Sequence, residues 1–103
     1  MTPLLTLGTT YGDDGHVVLT AVGEIDMSNI NDFSQALSGA TAAAAPGAVL
    51  TVDLSAVEYL DSAAINALYN HAEPIHLIAN PVLMRSLTVS GLAEVVTIEA
   101  WSQ

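Results

Sequence analysis

The chain has no cysteine and a single base, Arg85, among its 103 residues. The first absence excludes disulfides, thiolate catalysis and switching by cysteine oxidation. The second leaves 11 acidic residues against one positive charge, a formal net charge of −10. A chain so charged repels the phosphate backbone of nucleic acid and the anionic surface of a membrane, so neither is expected as a partner. No run of about 18 apolar residues occurs, which argues against a helical bilayer span. No basic segment followed by an apolar stretch opens the chain, so no signal peptide is expected. A G-x-S-x-G elbow, a P-loop and a G-x-G-x-x-G turn are all missing. Without a recognisable nucleophile–base pair or cofactor motif, the chain is read as a non-enzyme with no cofactor and no metal. A soluble cytoplasmic protein is expected, and Met1 at the start favours a free-standing domain.

What the chain does have is apolar residues. Hydrophobic types make up 51% of it, enough to bury a core without staples, and its length fits one domain, residues 1–103. The acidity has two readings. It keeps a small apolar domain in solution, or it complements a protein partner with a basic face, mainly through faster encounter.

Along the chain, "LLTLGTTY" alternates weakly with Leu5 and Leu7 on one face, "YGDDGH" is a turn cluster, and "HVVLTAVG" is a β-branched run. Together they predict an antiparallel hairpin. Gly23 is read as breaking the second strand. "EIDMSN" then starts a helix in which Asp26 or Ser28 accepts the first free amides. Ile30, Phe33 and Leu37 form one apolar helix face, ending at Gly39, and "TAAAAPG" is helix tail plus loop. "AVLTVDLS" is apolar through Leu54, as in a strand covered on both faces, and "AVEY" connects it to a helix that opens at Ser62 and repeats through Ile65, Leu68, Tyr69 and Ala72. Pro74 stops that helix. "IHLIA" is a short buried strand. In "NPVLMRSLTVSGL", Asn80 can cap, Pro81 suits the first helical position and Gly91 suits the exit; "VVTIEAW" is a last strand. The order is β-β-α-β-α-β-α-β, an α/β fold with a mixed, mostly parallel sheet and an antiparallel edge.

In such a fold, functional residues gather beyond the carboxyl ends of the strands. Asp53 and Ser55 are read as ending the central strand, Asp61 and Ser62 as opening the next helix, and Asp26 as following the second strand, all on one rim. Asp61-Ser62 has a structural reading and a functional one. As a cap, it satisfies amides that lack a helical partner, worth about 1 kcal/mol. As a switch, Ser62 places an exposed hydroxyl in the first turn of a helix. Phosphorylation there adds roughly 1.5 to 2 negative charges at pH 7, which free amides and the positive helix end tolerate. A partner packed against the neutral hydroxyl tolerates that charge far less, and Glu58 and Asp61 add like-charge repulsion.

The segment "VDLSAVEYLDSAAINAL", Val52 to Leu68, resembles the signature of the STAS domain, in which a strand ends in Asp-Leu-Ser and a later Asp-Ser opens a helix. "GEID" at Gly23–Asp26, "NPVLMRSL" and "LTVSGLAEVVTI" are similar to the strand exit before the first helix, the third helix and the closing strand of that family, in the same order. The family comprises anti-sigma factor antagonists and cytoplasmic tails of anion transporters. The resemblance implies a STAS domain with its helices packed largely on one face of the sheet. It implies an anti-sigma factor antagonist that frees a sigma factor, as in a stress response, with Ser62 as phosphoacceptor. It also implies that Asp26, Asp53, Ser55, Asp61, Ala63 and Ile65 lie near the partner surface. The implied partners are an anti-sigma factor, often itself an ATP-dependent serine kinase, and a phosphatase that restores the complex. Ala63 and Ala64 stand where the family usually has Ser or Thr and then Gly, and the second helix is several residues short. A phosphorylation-independent scaffold subunit of a signalling complex is therefore a rival reading, and a small-ligand-sensing domain is another.

Elsewhere, His71, Glu73 and His76 form H-x-E-x-x-H, but Pro74 interrupts the helix and the spacing is five rather than the four of a zinc-protease helix. They are read as solvated or core-edge histidines. His16 has no visible partner, and Trp101 is read as covering apolar surface near the end of the chain.

Overall fold

The computed structural model describes residues 4–71 and 75–102. Five strands form one sheet in the order β1-β2-β3-β4-β5: β1 Leu5–Tyr11, β2 Val17–Ile25, β3 Leu50–Leu60, β4 Ile75–Ala79 and β5 Thr97–Ala100. β1 is antiparallel to β2, and the other pairings are parallel. Three α-helices connect the parallel strands: α1 Ile30–Ala43, α2 Ser62–Asn70 and α3 Met84–Val89. Two 3₁₀ turns, Pro81–Leu83 and Leu92–Glu94, flank α3. Because β2 to β5 follow one another across the sheet and crossovers keep one hand, the three helices gather on one face.

That face holds the core. Val17, Leu19, Ala21 and Ile25 from β2, Leu50, Val52 and Leu54 from β3, and Leu77 from β4 meet Phe33 and Leu37 of α1, Leu68 of α2 and Leu87 of α3, all buried. Among the described residues, the opposite face has no helix. Val18, Thr20, Thr51, Asp53, His76 and Ile78 alternate with the core residues there and are half-buried. β3 is thus covered on one face, against the expectation from its apolar run: its Thr and Asp alternate with Leu and Val in a period of two.

β3 also runs five residues beyond Ser55, through the segment read as a connection, so Asp53 and Ser55 lie within the strand. The reason is a pair of irregularities. Between Thr20↔Asp53 and Val22↔Ala56, and again between Gly23↔Val57 and Glu24↔Tyr59, β3 takes one residue more than β2. Each bulge shifts the side-chain phase. The buried positions step 50, 52, 54 and then 57 and 60, so the period-two signal is lost while the strand continues.

Gly23 does not break β2 either. It sits inside the strand at φ +119 beside the second irregularity, and a Cβ there would lie 2.1 Å from the Leu4 carbonyl oxygen. Gly39 does not end α1, which continues to Ala43; at Gly39 a Cβ would meet nothing within 4 Å. Neither Asp26 nor Ser28 caps α1. Asn29 is its N-cap residue, without a side-chain cap bond. Asn80 does cap, accepting from the Val82 amide at 3.1 Å, but the segment it opens begins as a 3₁₀ turn before α3. Gly91 is left-handed at the exit. Tyr69 lies outside the buried stripe of α2, which consists of Ala64, Ala67 and Leu68. Ala72, Glu73 and Pro74, with the helix stop assigned to Pro74, lie outside the described residues. His16 has a partner two residues away: Asp14 Oδ2 is 2.6 Å from its Nδ1, and the Asp14 carboxylate also accepts from the His16 amide. This bonding lowers the Asp14 pKa below the ordinary carboxylate value.

The two glycines should respond oppositely to alanine. Gly23→Ala forces a side chain into a left-handed site against backbone and should cost about 2 kcal/mol or more. Gly39→Ala, on an open helix surface, should gain about 0.5–1 kcal/mol. Urea denaturation of both variants measures the difference.

Candidate functional site

The carboxyl ends of β2 and β3 lie together. Ile25 pairs with Leu60, and the Asp61 amide donates to the Ile25 carbonyl at 3.2 Å. The residues that follow, Asp26 and Asp61-Ser62, therefore share one corner. The loop after β2 is tied to itself. Asp26 Oδ1 accepts from the Ser28 amide at 2.8 Å and from Ser28 Oγ at 2.5 Å. Asn29 Oδ1 accepts from the Asp26 amide, and its Nδ2 donates to the Glu24 carbonyl, both at 2.9 Å.

At the start of α2, Asp61 is extended at φ −101, and its Oδ1 accepts from the amides of Ala63 and Ala64 at 3.0 and 3.3 Å. Ser62 is the first helical residue and is exposed. Its hydroxyl has no hydrogen-bond partner among the described residues. The cap reading of the Asp-Ser pair thus belongs to Asp61, which leaves the Ser62 hydroxyl facing solvent. One expectation is corrected: these two amides are not free to receive a phosphate on Ser62, because the Asp61 carboxylate holds them. A phosphoryl group would meet the helix end and solvent beside a carboxylate.

Of the residues expected on this rim, Asp26, Asp61, Ser62 and Ala63 are brought together. Ile65, one turn further along α2, is partly buried against the core. Asp53 and Ser55 are elsewhere. Asp53 pairs with Thr20 in β2 and Ile78 in β4, eight residues before Asp61, on the order of 25 Å along an extended strand. Its Oδ1 accepts from the Ser55 amide at 2.9 Å, within the first bulge. They occupy a separate ledge on the helix-free face, where the β3–β4 ladder ends at Leu54↔Ala79. The sequence reading missed the apolar neighbours of the corner. Met27 is 74% exposed in the loop after Asp26, and Tyr59 is 50% exposed beside Glu24. A methionine inside the polar turn "DMSN" was the available signal for the first; the bulge phase conceals the second. Glu24 and Glu58 stand on the same strand ends, so the corner is acidic with two exposed apolar side chains.

The histidines of the H-x-E-x-x-H pattern have separate partners. His71 Nδ1 lies 3.0 Å from the Ala67 carbonyl and its Nε2 3.2 Å from Ser38 Oγ. His76 Nε2 is 3.6 Å from Glu99 Oε1 across the β4–β5 pairing. Glu73 lies outside the described residues. Trp101 is 43% exposed, and its amide donates to the Ala79 carbonyl.

Against known proteins, residues 9–97 match the family model described as "Mlab, STAS domain". The chain belongs to the STAS family. No curated protein matches it by sequence. Among solved structures, an anti-sigma factor antagonist from Mycobacterium paratuberculosis is 28% identical, with a TM-score of 0.82 over 92% of this chain and 85% of that one. The anti-sigma factor antagonist SpoIIAA in its unphosphorylated form is 14% identical, with a TM-score of 0.73 over 95% and 90%. The phosphorylated form of the Bacillus cell fate determinant SpoIIAA is 15% identical, with a TM-score of 0.66 over 95% and 93%. The last two share the fold of this STAS chain. Its mixed five-stranded sheet with helices on one face, in the order β-β-α-β-α-β-α-β, agrees with the architecture expected from sequence. No helix of the described residues is long and apolar enough to cross a membrane.

The cap predicts a graded response. Asp61→Ala should destabilise the protein by about 1 kcal/mol, and Asp61→Asn, which keeps an acceptor, by less; thermal or urea unfolding of the pair checks this.

Proposed function

We propose that residues 1–103 act as one STAS domain and as an anti-sigma factor antagonist, a non-catalytic cytoplasmic regulator. It binds an anti-sigma factor through the corner formed by Asp26, Asp61, Ser62 and Ala63, and phosphorylation of Ser62 weakens that binding. The observation that carries this reading is the exposed, unbonded Ser62 hydroxyl at the first residue of α2, held rigidly by the Asp61 cap. Likeness to an antagonist of the same fold supports the class of partner.

The physical basis is electrostatic. Glu24, Asp26, Glu58 and Asp61 lie on the strand ends and loops that form the same corner as Ser62, and the chain's one base is Arg85 on α3. The complement is a partner with a basic rim and apolar sockets for Met27 and Tyr59. A neutral Ser62 packs in such an interface. A phosphoserine brings up to two charges beside the Asp61 carboxylate, with the Ala63 and Ala64 amides already engaged, and must be desolvated to dock. Losing a desolvated polar contact costs about 2 to 5 kcal/mol, roughly 30-fold to several thousand-fold in affinity. Asp53 and Ser55 form a second contact ledge for a partner that reaches across the helix-free face, and Ile65 borders the first. The anti-sigma factor supplies the kinase activity with ATP, and a phosphatase reverses the modification.

A second reading is favoured by one observation. Because Asp61 holds the amides that would otherwise stabilise a phosphate, the corner also suits a partner that binds the neutral serine permanently, as in a phosphorylation-independent interaction subunit. The two readings separate in one experiment. Under the switch, Ser62→Ala binds the anti-sigma factor as wild type does, and Ser62→Glu binds at least about 30-fold more weakly. Kinase and ATP then place one phosphate on Ser62, mapped by mass spectrometry. Equal affinity of the three proteins by titration calorimetry, with a complex that ATP leaves intact, rejects the switch in favour of the permanent subunit.

A further inference from the structure

The two edges of the sheet are unlike. β5 has four residues and carries Glu99. β1 has seven, "LTLGTTY", with neither a charge nor a proline. Its pairing with β2 runs without a shift from Leu5↔Gly23 to Tyr11↔Val17, and no described strand lies on its other side. An open edge presents a row of unpaired amides and carbonyls that templates another strand, and proteins ordinarily blunt it with charge, proline, bulges or brevity. β1 uses none of these. Its far end exposes Tyr11 at 64%, and Leu4, just before it, is 77% exposed.

We infer that the outer edge of β1 pairs with β1 of a second copy of this chain, antiparallel about a two-fold axis at Gly8. Such pairing is self-complementary, since each contact occurs twice. With Gly8 opposite Gly8, Leu5 of one copy faces Tyr11 of the other, Thr6 faces Thr10 and Leu7 faces Thr9. Aromatic–aliphatic and Thr–Thr pairs across adjacent strands stabilise a sheet, and the partly buried Leu5 and exposed Tyr11 supply each other with cover. Charge selects the occupant. Two copies at −10 each repel over most approaches, but this strand carries no acid, and Asp13 and Asp14 lie past the end of the overlap. A basic partner has nothing to attract it here and finds its complement at the acidic corner instead. The overlap spans roughly 23 Å of strand, and one strand pairing buries less than the about 800 Å² per partner of a standard interface. The dimer is therefore reversible and forms as concentration rises.

Sedimentation equilibrium from micromolar to near-millimolar protein tests this. The weight-average mass of the wild type should climb from 10.6 kDa towards twice that value. Thr6→Lys with Thr10→Lys sets like charges opposite one another and should hold the mass at the monomer value, although it moves the net charge towards zero. Thr6→Glu with Thr10→Lys sets opposite charges across the axis and should restore the rise. Hydrogen exchange of the wild type gives a readout independent of any variant's folding: β1 amides should gain protection with concentration while β5 amides do not. A flat wild-type mass overturns the inference. So does a double-lysine variant that still dimerises, a Glu/Lys variant that does not, or β1 protection that ignores concentration.

Discussion

β3 spends eleven residues where β2 spends nine, and the position of the corner depends on that difference. The two extra residues form the bulges that let the chain bury Val57 and Leu60 after the period-two run to Leu54. They also bring Leu60 level with Ile25, so that the Asp61 amide closes on the Ile25 carbonyl. Without them β3 would reach the end of β2 two residues earlier in its sequence, at Glu58, and the helix start would overshoot the rim. Local twist at bulges also explains why Gly23, the partner position in β2, adopts a backbone that side-chain-bearing residues avoid.

The order of the strands has a second consequence. A sheet whose parallel strands are added one after another, with crossovers of one hand, places every helix on one side. Half of the sheet surface is left to Thr, Val, Asp and His side chains of intermediate exposure. The molecule thus divides its surface by chemistry: an acidic corner at the strand ends, a mixed polar face without helices, and one uncharged edge. In a chain with a single base, places where charge is missing are as informative as places where it accumulates, because like copies and unlike partners are sorted by them.

Much of this was legible from sequence because the signals were local. The hairpin, the buried IHLIA strand, the Asn80-Pro81 entry and the Gly91 exit each follow from residue types within a few positions of one another. Asp61-Ser62 was legible for the same reason: an N-cap acceptor acts on amides two and three residues ahead. Where the reading went astray, a longer-range term prevailed. Gly39 stayed helical because Phe33, Leu37 and Ala40 are buried around it, and tertiary burial outweighs a propensity cost of about 1 kcal/mol. Asp53 and Ser55 were placed at a strand end because alternation stops there, whereas pairing to β2 continues.

By itself the sequence determined the element order, the hairpin, the chemistry of the corner and the excess of acid, since these depend on composition and near neighbours. Only the tertiary structure decided that the segments carrying Asp26 and Asp61 come to one corner while Asp53 and Ser55 stand apart, that Met27 and Tyr59 are exposed on the segments leading to that corner, and that no described strand lies outside β1. Those outcomes are set by register between strands distant in the chain. Register is fixed by bulges and by one-sided burial, and neither leaves a periodic mark in the residues that carry it.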